Sequence, residues 1–92
     1  MILSFRCSDT QTLFSGKRVA RFVNFESVAM RKLAMLNRAT VLDDLRVPPA
    51  NRLELLRGDR AGTCSIRIND QFRICFRFQD GNAFEVEIVD YH

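Results

Sequence analysis

Three consecutive runs in the C-terminal third alternate apolar and polar residues with a period of two. Cys64, Ile66 and Ile68 alternate with Ser65 and Arg67. Phe72, Ile74, Phe76 and Phe78 alternate with Arg73, Cys75 and Arg77. Phe84, Val86 and Ile88 alternate with Glu85, Glu87, Val89 and Tyr91. Successive side chains of a strand point to opposite faces, so each run describes a strand buried on one face and polar on the other. Short loops join the runs, which predicts an antiparallel sheet with one apolar face in need of a cover.

The register follows from keeping that face apolar. A two-residue turn at Asn69-Asp70 would set Arg67 opposite Phe72 and mix the faces. A three-residue loop, Asn69-Asp70-Gln71, pairs Ile68 with Phe72, Ile66 with Ile74, and Arg67 with Arg73. The same reasoning predicts a five-residue loop from Gln79 to Ala83, around Asp80-Gly81. That loop pairs Phe76 with Val86, Arg77 with Glu85, and Arg73 with Val89. Tyr91 then lies diagonal to Arg73 on the polar face, within reach of a long side chain.

The cover comes from the first half. Residues 2–6 alternate enough for a strand. Asp9 to Phe14 opens with cap-type residues and predicts a short helix ending near Gly16. Phe25, Ala29, Leu33 and Leu36 recur at helical spacing with Val28 beside them, which predicts a helix over 25–38. Asn24 is placed to cap it, and Glu26 suits its first turn. Thr40 with Asp43 has the spacing of a capping box for one further turn. Val47-Pro48-Pro49 must leave the helix, and Leu53 to Leu56 is a short strand candidate. The expected fold class is α+β, with an N-terminal strand and two helices packed on a twisted antiparallel sheet. The expected core is Phe5, Phe25, Leu33, Leu36, Ile66, Ile68, Ile74, Phe76, Val86 and Ile88.

At 92 residues the chain is expected to form one domain, 1–92, with a modest core. No apolar run approaches the ~18 residues of a membrane span. The short apolar N-terminus lacks a basic region before it and a cleavage site after it, so it reads as a strand rather than a signal peptide. Cys7, Cys64 and Cys75 show no CxxC spacing, and His92 is the single histidine, which argues against a zinc site. Reduced thiols in a cytoplasmic protein are the simplest account.

The net charge is only +3, but twelve of the fourteen basic residues are arginines, and six of those fall between positions 52 and 77. Arginine's planar fork suits phosphate and carboxylate and stacks on bases. The local excess therefore points to a nucleic-acid or acidic-protein partner. The predicted polar face collects Arg67, Arg73 and Tyr91, with Asp90 and His92 at its edge and Glu54 and Arg57 nearby. Arg67 opposite Arg73 is unfavourable unless an anion joins them. Such a groove suits single-stranded RNA. RNA can be cut without a metal when a base activates the 2′-OH, a cation steadies charge building on phosphorus, and an acid protonates the leaving 5′-oxygen. His92, Tyr91, Glu54 and Arg73 are residue types able to fill those roles. Arg77 with Glu85 reads as a cross-strand ion pair.

The stretches Gly58-Asp59-Arg60-Ala61-Gly62, Ser65 through Ile74, and Val86 through His92, with Ile2-Leu3-Ser4-Phe5 at the start, resemble the HigB branch of the RelE/ParE toxin superfamily, the plasmid maintenance system killer family. The resemblance spans nearly the whole chain. It implies the RelE-like fold and the toxin of a bacterial type II toxin–antitoxin pair that enters the ribosomal A site and cuts translated mRNA without a metal or other cofactor. It implies a helix-turn-helix antitoxin of the HigA type, and operator DNA contacted through that antitoxin. Asp90, Tyr91, His92 and Arg73 match the family's catalytic positions. Where the family carries a histidine and a lysine around the leucine-rich stretch, this chain has Glu54 and Arg57. A carboxyl, with an ordinary pKa of about 4.3, suits proton transfer at neutral pH less well than imidazole. The candidate catalytic set is thus His92, Tyr91, Asp90, Arg73 and Glu54, and the candidate RNA-binding set is Arg57, Arg60 and Arg67. Two alternatives stand beside this reading. One is a related toxin acting on a protein such as gyrase. The other is an attenuated toxin that serves mainly in autoregulation of its operon.

Overall fold

The computed structural model describes residues 1–58 and 62–90. Helix α1 spans Ser8–Phe14 and stops where Gly16 takes a φ of +96° and donates its N–H to the Leu13 carbonyl. A left-handed residue just past a helix is the usual place for glycine, which has no Cβ to clash. Helix α2 spans Glu26–Arg38 and buries Ala29, Leu33 and Leu36 completely. The cap expected from Asn24 does not form. A 3-10 segment, Ala20–Phe25, runs straight into α2, so no extended residue precedes the helix. Phe22 in that segment is wholly buried, whereas Phe25 is only partly so.

After α2 the chain makes two 3-10 turns, Leu42–Arg46 and Pro49–Asn51. The capping carboxylate for the first is Asp44, one residue beyond the expected Asp43. Its Oδ2 accepts from the N–H groups of Thr40 and Val41 and from the Thr40 hydroxyl. Those donors stabilise the charged carboxylate and hold its pKa below the ordinary range. The N-cap is Val41 rather than Thr40, so the N3 position that closes the box falls on Asp44.

Four antiparallel strands follow in the order β1 Glu54–Leu55, β2 Cys64–Arg67, β3 Phe72–Gln79 and β4 Asn82–Asp90. The β2–β3 register is the expected one, with Ile66 opposite Ile74 and Arg67 opposite Arg73. The N-terminal segment pairs with the far side of β4 and runs parallel to it, through bridges of Ile2 to Ala83 and Phe5 to Val86.

The β3–β4 connection differs from the expected five-residue loop. Gln79 pairs directly with Asn82 across a two-residue turn, in which Asp80 and Gly81 have φ of +53° and +78°. Asp-Gly favours this turn because both central residues need positive φ. Continued without interruption, that register would set Val86 opposite Cys75 and mix the faces. One extra residue corrects it: Glu85, with φ of +53°, forms a bulge, after which Cys75 faces Glu87, Ile74 faces Ile88 and Arg73 faces Val89. Phe76 lies at the bulge, where Glu85 and Val86 together oppose it, and the ladder partner of Arg77 is Phe84 rather than the expected Glu85. The Arg77–Glu85 ion pair still forms, at 3.0 Å.

The helices lie on the face bearing Ile66, Ile74, Phe76, Val86 and Ile88, all almost wholly buried with Leu33 and Leu36. Thr10 of α1 is also fully buried, and its hydroxyl accepts the Ile88 N–H at 3.0 Å. That bond satisfies a β4 donor beyond the reach of the N-terminal segment. Phe5 joins the core only partly. Phe76→Ala is expected to cost about 3–5 kcal/mol through lost transfer energy and a residual cavity. That is a large share of the ~5–15 kcal/mol available to a domain. Urea denaturation of the two proteins checks it, with a shifted midpoint at unchanged slope as the expected result.

Candidate active site

The opposite sheet face is built from the odd-numbered residues of β2 and β3. Strand pairing lays down two rows across it. Glu54, Ser65, Cys75 and Glu87 form one, and Arg67, Arg73 and Val89 form the next. This is the face expected to be polar. Its centre is nonetheless closed: Ser65 is 0% exposed, Cys75 1% and Arg73 7%. The segment entering β1 supplies part of the cover. Arg52 sits there in the left-handed region, at φ 45° and ψ 57°, with its carbonyl on Arg73.

Arg73 lies between these rows. Its Nε donates to the Ser65 hydroxyl at 2.9 Å, one diagonal step across the β2–β3 pair. Its Nη2 donates to the Arg52 carbonyl at 2.6 Å. Its Nη1 lies 3.7 Å from Glu54 Oε1, with the Glu54 side chain about half exposed at 53%. Strand register alone places no acid opposite Arg73. The third strand does so, because Glu54 pairs with Ser65 and leans onto the guanidinium. These bonds orient the planar fork, and Glu54 lies at the solvent-facing side of the cluster.

The two opposed arginines do not need a shared anion. Arg67 turns to Asp70 in the adjoining loop and forms an ion pair there. Asp70 is fully exposed and Arg67 about 29% exposed. Arg57 is exposed just past β1. Asp90 ends β4 opposite Phe72, and its carboxylate accepts from Gln71 Nε2 at 3.1 Å. The fold thus assembles Glu54 and Arg73 into direct contact. Arg67 is Arg73's cross-strand neighbour, and Asp90 is one residue further along β4 than Arg73's other partner, Val89. Arg60, Tyr91 and His92 lie outside the described residues.

Several participants were not anticipated from sequence. Ser65 lies in a recognisable strand, yet nothing in its identity indicates a buried bond to Arg73. Asn51 is fully buried, and its Nδ2 donates to the Leu45 carbonyl at 3.0 Å. The Lys32 ammonium, on α2 and 7% exposed, bonds to Asn51 Oδ1. Burial, aided by the nearby charges of Arg31 and Arg67, pushes the Lys32 pKa below its ordinary value. Cys7, Cys64 and Cys75 are not joined in disulfides, and burial pushes the Cys64 thiol up, away from the reactive thiolate. Among the described residues no group of three or more His, Cys, Asp or Glu could hold a metal ion.

An open groove of about 380 Å³ lies elsewhere, between α1 and the start of α2. Leu13 and Met30 line its floor, and Lys17, Arg18 and Glu26 its rim. It includes no residue of the Arg73 cluster. No helix among the described residues is long and apolar enough to cross a membrane.

Comparison with known proteins bears on the family and the fold of the chain. Residues 11–92 fit the family model described as the RelE-like toxin of type II toxin–antitoxin system HigB. The chain is 38% identical over 85 residues to Toxin HigB-1 of Vibrio cholerae, covering 90% of each chain. It is 33% identical over 94 residues to Endoribonuclease HigB of Proteus vulgaris, covering all of both. Among solved structures, a point mutant of YafQ from E. coli superposes with a TM-score of 0.64 at 11% identity, over 98% of this chain and 91% of that one. The YoeB/ParE toxin from Agrobacterium tumefaciens gives 0.51 at 17% identity, over 99% and 96%. At those identities the structural likeness speaks for the fold, an α+β arrangement of two helices on a four-stranded antiparallel sheet. The family match covers most of the chain and the HigB relatives cover nearly all of it, so this protein belongs to the HigB-like toxin family of type II toxin–antitoxin systems, a family whose members act with an antitoxin.

Proposed function

We propose that the protein is an mRNA endoribonuclease that acts on translated message in the ribosomal A site and needs no metal. The observation that carries this reading is the Arg73 guanidinium, held nearly rigid on the sheet by Ser65 and the Arg52 carbonyl with Glu54 at its side. A preorganised cation aimed at developing charge is the largest single contribution in many active sites. The kinship with a protein named Endoribonuclease HigB supports the same chemistry.

In the proposed reaction the RNA 2′-oxygen loses its proton to a base, attacks the adjacent phosphorus, and displaces the 5′-oxygen. That oxygen takes a proton from an acid. The products are a 2′,3′-cyclic phosphate and a 5′-hydroxyl. Arg73 balances the charge on the non-bridging oxygens. His92 and Tyr91 serve as the acid/base pair, with Asp90 orienting them from the end of β4. Glu54, already engaged by Arg73, acts mainly as its partner and secondarily as a base. Arg57, Arg60 and Arg67 supply positive charge for binding the RNA backbone. The antitoxin partner is of the HigA helix-turn-helix type, represses the operon through operator DNA, and leaves the Arg73 cluster at least partly uncovered. The site of action is the cytoplasm.

The test is induced expression of the wild type, followed by primer extension on a translated and an untranslated copy of one mRNA. Cuts confined to the translated copy are expected. Growth arrest with no cut in either copy would replace this reading with a toxin acting on a protein target. Neither arrest nor cuts would favour a chain that serves chiefly in operon regulation.

A further inference from the structure

A line of buried polar contacts runs from α2 to the sheet arginine. The Lys32 ammonium bonds to Asn51 Oδ1. Asn51 is 0% exposed, and its Nδ2 is tied to the Leu45 carbonyl and to Met35 Sδ at 3.1 Å. Its N–H closes the 3-10 turn on the Pro48 carbonyl at 2.9 Å. The next residue, Arg52, takes left-handed dihedrals and presents its carbonyl to Arg73 Nη2. A non-glycine residue in that region is held there by its surroundings. Were the turn to relax to right-handed dihedrals, the carbonyl would swing away from the guanidinium.

The amine of Lys32 is poorly explained as a packing device. It is buried, and the neighbouring charges of Arg31 on its own helix and Arg67 on β2 are like-signed and disfavour its charged form. An apolar side chain of the same length would avoid that desolvation. Its contribution is directional instead, because it fixes which way the Asn51 amide faces and so anchors the turn that carries Arg52.

We propose that Lys32 and Asn51 are positioning residues for Arg73, setting the plane of its guanidinium through the Arg52 carbonyl. The contacts themselves require no assumption about activity, but their catalytic consequence rests on the nuclease reading above.

The experiment uses the full chain labelled with nitrogen-15, in wild-type form and as Lys32→Met, Asn51→Ala and Ile88→Val. The last is a mild core change outside the relay. Two quantities are read. One is the exchange rate of the Arg73 Nε–H with water, and the other is cleavage of ribosome-bound mRNA, separated into kcat and KM. Lys32→Met and Asn51→Ala are expected to speed Arg73 Nε–H exchange by about tenfold or more. They should lower kcat about ten- to hundredfold with KM within about twofold, the pattern of a misplaced reacting group. Ile88→Val should change neither. Lys32→Met keeps most of the stem and carries the test alone should Asn51→Ala fail to fold. Unchanged Arg73 exchange in folded Lys32→Met overturns the proposal, as does equal acceleration in Ile88→Val, which would mean general loosening. Should exchange rise in the relay variants while even the wild type cuts no mRNA, the positioning role stands and the nuclease reading falls.

Discussion

Arg73→Ala is expected to lower mRNA cleavage by about 10²–10³-fold, the usual effect of deleting one preorganised donor at a developing oxyanion. The polar face on which Arg73 lies would ordinarily tolerate such a change without loss of stability. The burial of Arg73 alters that expectation. Truncation strands the buried Ser65 hydroxyl without its donor, and an unsatisfied buried polar group costs about 1–3 kcal/mol. The variant should therefore fold, with a lower urea midpoint, and be inactive under conditions where it is fully native. Arg73→Lys separates charge from geometry. It keeps the cation but loses the fork that reaches Ser65 and Arg52 together, so activity between wild type and Arg73→Ala is expected. Primer extension beside circular dichroism gives both readouts. Wild-type cleavage by folded Arg73→Ala would remove Arg73 from the chemistry.

Loss of His92 is expected to be at least as severe. It is the chain's one imidazole, and a general acid or base contributes about 10²–10⁴-fold in rate. His92→Ala and a chain ending at Asp90 should both stop inhibiting growth. The shortened chain should keep its fold, because the β3–β4 ladder already reaches the Phe72–Asp90 pair. Cleavage at the wild-type rate by the folded, shortened protein would show that Tyr91 and His92 are dispensable and turn attention to Glu54 as the base. Glu54→Gln is informative beside it. Its expected effect is smaller than that of His92→Ala, since Glu54 chiefly braces Arg73.

Period-two alternation was enough to read the three long strands, the Arg67–Arg73 pairing and the apolar face. Helical spacing was enough for α2 and its buried stripe of Ala29, Leu33 and Leu36. Those features are local, and burial of one face enforces them whatever surrounds it. The β3–β4 turn was misread for a physical reason. Asp-Gly and facial alternation make opposing demands there, and the chain meets both by placing a bulge at Glu85. The cap by Asp44 rather than Asp43 is the same kind of near miss, decided by the turn starting one residue later, with Val41 at the N-cap.

By itself, then, the order of residues determined the strand faces, the main helix and the family, and it offered His92, Tyr91, Asp90, Arg73 and Glu54 as candidates for the chemistry. Only the tertiary structure decided that Arg73 is buried, that Glu54 is its partner, that Ser65 and the Arg52 carbonyl bond to it, and that Lys32 reaches Asn51 beside Arg52. Periodicity reports which face a side chain is on. It is silent on what a separate segment lays across that face, because that depends on contacts between residues such as Lys32 and Asn51, 19 positions apart, which no local pattern encodes.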